Sequence, residues 1–228
     1  MIVYGKQICN HLLERRPELV REIYLAKTID KKNFALLKRL GKPVIKVDAK
    51  KAQAMAKGGN HQGWLCDVLP YRYATLEELK GSDFLVVLAG LSDVGNIGAI
   101  IRSAYSLGAD GVIVGGIKQL QSESVVRTSS GAMFDLPVAV IPNLLDCLNE
   151  LKQIGFTIYG ADMSGVSIDD ISFNQRRVLV MGSEGSGIPG KIKKMLDERV
   201  TIRMARPFDS LNVSVAAGII MYRMGYAG

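Results

Sequence analysis

The run Phe84-Leu-Val-Val-Leu-Ala89 decides the fold of this chain. Six apolar residues without alternation suit a strand buried on both faces, and such strands belong to parallel sheets covered by helices. Gly90-Leu-Ser-Asp-Val-Gly-Asn96 follows as a polar loop, and an apolar helical pattern occupies 97–107. The pattern then repeats. Strands are expected at 112–114, 138–141, 156–161, 178–181 and 200–203. Helices are expected at 123–128, 144–154 and 188–196, and again after Ser210. Strands alternating with helices predict an α/β domain with a mostly parallel sheet.

Upstream lies a smaller alternating unit. Helices are expected at 6–15, 31–40 and 49–57, and strands at 20–26, 44–47 and 64–69, in the order α-β-α-β-α-β. Pro17 stops the first helix and Gly41-Lys-Pro43 the second. Residues 1–70 therefore read as one small α/β domain, 71–82 as a connector with a short helix near Leu76, and 83–228 as the larger domain.

The charge divides in the same place. Residues 1–80 carry 16 Lys and Arg against 8 Asp and Glu, whereas 81–228 carry 13 against 14. A basic front suits a polyanion such as RNA, whose phosphates lysines hold without reading sequence. Ile2 and Val3 lead into Gly5 and Lys6, so no leader is expected, and no apolar stretch reaches membrane-spanning length. Cys9, Cys66 and Cys147 form no CxxC pair, which predicts free thiols, a reducing cytoplasm and no zinc site. With His11 and His61 the only histidines, no metal site is expected.

Three constellations carry chemistry. In Gly95-Asn96-Ile-Gly98-Ala-Ile-Ile-Arg102, Asn96 stands at the mouth of a strand-to-helix loop. Arg102 sits on an apolar helix, where a guanidinium needs either a carboxylate or a bound phosphate or substrate. Met181-Gly182-Ser-Glu184-Gly185-Ser-Gly187-Ile-Pro189-Gly190-Lys191 is a glycine-rich loop after a buried strand. It falls short of a P-loop: Ile192 replaces the magnesium-ligating Ser or Thr, and Pro189 removes a backbone donor. Ser210-Leu211-Asn212-Val213-Ser214 precedes a helix of small apolar residues, with Ser210 placed as its N-cap.

Together, in this order, the Asn96–Arg102 segment, Met181-Gly-Ser-Glu-Gly-Ser-Gly187 and Ser210-Leu-Asn-Val-Ser-Val-Ala216 resemble the three motifs of the SpoU–TrmH family of RNA ribose 2′-O-methyltransferases, in the SPOUT superfamily. Tyr4-Gly5-Lys6 and His61-Gln-Gly63 resemble the substrate-binding domain of bacterial members that methylate guanosine in 23S ribosomal RNA. The resemblance implies a SPOUT trefoil-knotted α/β domain preceded by a small α/β RNA-binding domain. It implies S-adenosylmethionine as methyl donor, no metal, and a cytoplasmic homodimer. It places Gly182, Ile202 and Leu211 at the methyl donor, and Asn96, Arg102, Glu184, Ser210 and Asn212 in the catalytic pocket, with Glu184 orienting Arg102 or Asn96. Arg127 stands where relatives often carry lysine. The same reaction on transfer RNA, and a non-catalytic RNA-binding role in ribosome assembly, are the alternative readings.

Overall fold

The computed structural model describes residues 1–117, 119–206 and 209–225. The first four strands, β1 (Ile2–Tyr4), β2 (Val20–Leu25), β3 (Val44–Lys46) and β4 (Trp64–Val68), form one sheet in the order β1-β4-β2-β3. Between them lie α1 (Lys6–Arg15), α2 (Lys31–Leu40) and α3 (Ala49–Met55). Asp30 and Asp48 cap α2 and α3 through the backbone N–H groups of Asn33 and Lys51, and Gly41, at φ 61°, ends α2 in the left-handed conformation that glycine adopts without strain. The strand β1 adds to the alternation expected from sequence. Three residues are too short to show a period, and β1 exists because its backbone pairs antiparallel with β4.

A short connector carries α4 (Leu76–Leu79), opened by a capping box in which Thr75 and Glu78 satisfy each other's backbone N–H groups. The chain then builds a second sheet from β5 (Phe84–Ala89), β6 (Gly111–Gly115), β7 (Val138–Ile141), β8 (Thr157–Ser167), β9 (Arg177–Gly182) and β10 (Glu198–Thr201). Its order is β10-β8-β9-β5-β6-β7 and every pairing is parallel. The helices are α5 (Val94–Ser106), α6 (Ser122–Thr128), α7 (Leu144–Gln153), α8 (Gly190–Lys193) and α9 (Val213–Gly225).

The continuous apolar run of β5 works on both faces. Phe84, Val86 and Leu88 pack with α5, α6 and α9, while Leu85, Val87 and Ala89 pack with α7 and α8. The first of these cores continues without a break into Ile8, Leu12 and Trp64 of the smaller unit. The two units therefore share buried apolar surface, at about 25 cal/mol per Å² removed from water.

Several boundaries differ from those the sequence suggests. The helix α5 begins at Val94, because Asp93 caps it through Asn96 N–H at 2.7 Å, so Asn96 lies in the first turn rather than in a loop. Strand β8 runs on to Ser167, paired by β10 through a bulge. The helix α8 is a single turn instead of spanning 188–196. The helix α9 begins at Val213, and Asn212 rather than Ser210 caps it: Asn212 Oδ1 accepts from Ser214 N–H at 3.0 Å and Val215 N–H at 3.4 Å. No helix of the described residues is long and apolar enough to cross a membrane.

Two stability measurements follow. Gly98 faces α6 so closely that an added Cβ would lie 2.0 Å from Thr128 Oγ1 and 2.7 Å from its carbonyl carbon. Gly98→Ala should therefore lower unfolding free energy by about 1–3 kcal/mol in urea titration, against the helix-propensity gain of alanine. The Glu78 carboxyl is held down to about 2 by Arg72 first and then by Thr75 N–H. Its folded value is depressed, so the stability difference between wild type and Glu78→Gln should be complete above the ordinary glutamate pKa of about 4.3. It should shrink as pH falls through about 2.

Candidate functional site

In an open parallel sheet, ligands bind at the carboxyl ends of the strands where the chain winds in opposite directions from two neighbours. Here β5 leads outward to β6, while its other neighbour β9 leads, past β8, to β10. The crevice between the ends of β5 and β9 is the predicted place, and one residue from each of the three sequence constellations, Asn96, Glu184 and Asn212, meets the others there.

Asn96 comes from the first turn of α5, Glu184 from the loop after β9, and Asn212 from the start of α9. Glu184 Oε1 accepts from Asn212 Nδ2 at 2.6 Å, Asn96 Nδ2 at 3.2 Å and Val213 N–H at 3.4 Å. Asn212 Nδ2 also donates to Asn96 Oδ1 at 3.1 Å. One carboxylate thus ties two helix starts to the glycine-rich loop, and its negative charge faces the N-terminus of α9, where the helix dipole favours it. The loop itself closes tightly. Ser183 and Gly187 bridge each other's backbones, and a Cβ on Gly182 would lie 2.1 Å from the Gly187 carbonyl carbon.

Beside this cluster opens a cavity of about 420 Å³, within the rough 300–1,000 Å³ range of small-molecule sites. Gly182, Ile202, Ser210, Leu211 and Glu184 line it, joined by Ile188 and Met163. Ile202, Ser210 and Leu211 lie outside helix and strand, so their peptide groups are not committed to a ladder. At the rim, Lys193 forms an ion pair with Asp162 at 2.7 Å. Lys193 first, then Ser164 N–H, hold the Asp162 carboxyl down at about 2. Neither Asp162 nor Lys193 was expected at the site, because the β8 strand was expected to stop at Ala161 and α8 to be a longer, independent helix.

Arg102 stands apart from the carboxylate cluster. It is exposed, and Nη1 donates to Ser130 Oγ at 3.3 Å. Among the described residues its partner is a hydroxyl rather than a carboxylate. Glu184 accepts hydrogen bonds from Asn96 and Asn212. Ser210 lines the cavity without capping α9. No group of His, Cys, Asp and Glu among the described residues is arranged to hold a metal ion.

The basic residues of the smaller unit are at its surface: Lys27, Lys31, Lys32, Lys38, Arg39, Lys46, Lys50, Lys51 and Lys57 are all exposed. Trp64 is buried in the core. His61 Nδ1 accepts Gly63 N–H at 3.0 Å and so braces its own turn.

Residues 83–222 match the SpoU rRNA methylase family, and residues 2–74 match the RNA 2′-O ribose methyltransferase substrate-binding family. An uncharacterized tRNA/rRNA methyltransferase of Mycobacterium ulcerans is 37% identical over 192 residues, covering 79% of this chain and 61% of that protein. The chain thus spans about three fifths of the length of that relative. A Bacillus subtilis protein carrying the name of a TrmH family tRNA/rRNA methyltransferase is 34% identical over 198 residues, covering 83% of this chain and 79% of its own. The SpoU methyltransferase AviRb of Streptomyces viridochromogenes, solved in complex with AdoMet, superposes with a TM-score of 0.80 at 26% identity, covering 99% of this chain and 89% of that one. With both family models matched in order and the motif residues gathered at one sheet edge, the chain belongs to the SpoU rRNA methylase family.

Proposed function

We propose that this protein transfers a methyl group from S-adenosylmethionine to a ribose 2′-OH of RNA, with a guanosine of 23S ribosomal RNA as the target. The observation that carries this reading is the joining of Asn96, Glu184 and Asn212 by hydrogen bonds at the edge of the 420 Å³ cavity. Residues 1–70 would hold RNA, 71–82 link, and 83–228 catalyse. The basic surface of the first unit supports RNA as partner, and its likeness to a substrate-binding family supports its separate role. Transfer RNA is the second reading, favoured by the names of the relatives, which span both RNA classes.

The cavity fits the methyl donor. Its apolar lining from Ile188, Ile202 and Leu211 suits a purine, and the unladdered peptides of Ile202 and Leu211 can read its edge. Gly182 lets the loop fold close beside it. When bound, the sulfonium supplies an already activated methyl. The residues then need only align the ribose and ease loss of its proton. Asn96 and Asn212, held by Glu184, would position the ribose beside Ser210. Arg102, as a hydrogen-bond donor, would grip the adjacent phosphate and stabilise the developing alkoxide, since a guanidinium stays protonated in proteins.

A trefoil knot and a homodimer are parts of the same proposal. The outward face of α9 supports the dimer: Val215, Ile219 and Tyr222 are 51%, 39% and 60% exposed at helical spacing. A cytoplasmic location is supported by three buried, free thiols.

Mapping 2′-O-methyl marks in ribosomal and transfer RNA, with and without the gene, tests the target directly. Loss of a single ribosomal guanosine mark supports the lead, and loss of a transfer-RNA mark alone promotes the second reading. Arg102→Ala should lower kcat about 10²–10³-fold with Tm and methyl-donor affinity unchanged, measured by tritium transfer and calorimetry. Ile219→Asp should convert a dimer to monomer in light scattering, with loss of methyl transfer.

A further inference from the structure

We infer that Ser130 is a positioning residue that sets the Arg102 guanidinium, and that the loop carrying it is held in place by the N-terminal unit. This rests on the proposed role of Arg102. Ser130 is one of three described non-glycine residues with positive φ, at 54°. A serine held in the left-handed region costs free energy and persists only where its surroundings over-determine it. Those surroundings are present on both sides.

On the amino side, Thr128 Oγ1 donates to Val94 O at 2.9 Å, fastening the loop to the start of α5. Ser129 is fully buried and bonds Val126 O. On the carboxyl side, Gly131 lies against the His11 ring, where a Cβ would come within 3.2 Å. His11 Nε2 meets Asp135 Oδ2 at 2.6 Å, and Arg16 of the same unit pairs with Asp135 Oδ1 at 3.5 Å and donates to Phe134 O. Between these fastenings the Ser130 hydroxyl projects to Arg102 Nη1.

The placement gives the strain a use. A groove of about 1,080 Å³ runs between the two units, bordered by Tyr4, Gln62, Gln121 and Arg127, and Ser130 lies on its wall. A strand laid in this groove would meet Ser130, whose hydroxyl accepts from Arg102 Nη1. An arginine side chain is long and mobile, so a fixed acceptor lowers the entropy lost when it engages substrate. Because α1 holds the far end of the loop, docking of the N-terminal unit and the aim of Arg102 are mechanically joined.

Glycine separates this role from a structural one. Ser130→Gly keeps the left-handed backbone and removes only the hydroxyl. It should leave Tm unchanged or raised and methyl-donor Kd unchanged, while kcat falls about tenfold, as expected for one lost hydrogen bond to a charged group. Ser130→Asn tolerates the same φ and offers a carbonyl acceptor, so it should restore most of kcat. The assay is tritium transfer from S-adenosylmethionine to an unmodified 23S ribosomal RNA transcript, or to the transfer-RNA transcript that the wild-type enzyme methylates. Wild-type kcat in Ser130→Gly, or a loss that asparagine does not repair, overturns the inference. Arg102→Ala in the same assay tells the two levels apart. An active Arg102→Ala overturns the reading of Arg102 itself. An inactive Arg102→Ala beside a fully active Ser130→Gly overturns only the positioning role.

Discussion

Glu184 Oε1 accepts hydrogen bonds from Asn96, Asn212 and the Val213 backbone, and through them holds together segments that lie 88 and 28 residues away in sequence. Each bond to a charged acceptor contributes about 1.5–3 kcal/mol when well protected and less where water competes. Glu184 is exposed, so its value lies in geometry more than in stability. It fixes the orientation of two amide side chains that would otherwise rotate freely. The loop that carries it can close on Gly182 only because no side chain intervenes there.

The sheet beneath makes that meeting possible. The parallel strands β5 and β9 are in register from Phe84↔Arg177 to Ala89↔Gly182, so their carboxyl ends finish at the same level. The loops leaving them are brought side by side by pairing, not by any affinity of their own. The helix α9 then packs against α5 and buries Ala217, Ile220 and Met221, which carries Asn212 to the same edge. The two helices come closest at Gly225, where an added Cβ would lie 2.7 Å from the Leu107 carbonyl oxygen.

The smaller unit is more than an appendage. Its core is continuous with that of the larger unit, and α1 reaches across to Asp135 and Gly131. Such an interface joins a basic surface to a larger part of the chain, residues 81–228, that carries 13 Lys and Arg against 14 Asp and Glu. For the proposed reaction on RNA, this separates holding the polyanion from positioning one ribose.

The elements that are locally determined were legible in the residues. The unbroken apolar run of β5 requires burial on both faces, and α2 ends where Gly41 punctuates it. The motif residues Asn96, Glu184 and Asn212 could be singled out as polar groups crowding turns, although nothing local shows that they touch. Tertiary structure alone decided the rest. It paired β1 with β4, because a three-residue strand has no periodicity to read. It moved the cap of α9 from Ser210 to Asn212, because Glu184 draws Asn212 Nδ2 and leaves its Oδ1 for the helix. It gave Arg102 to Ser130 rather than to Glu184, because the two ends of α5 face different neighbours. Periodicity and punctuation act over a few residues, whereas hydrogen bonds between side chains across a sheet edge depend on pairing between strands far apart in the chain.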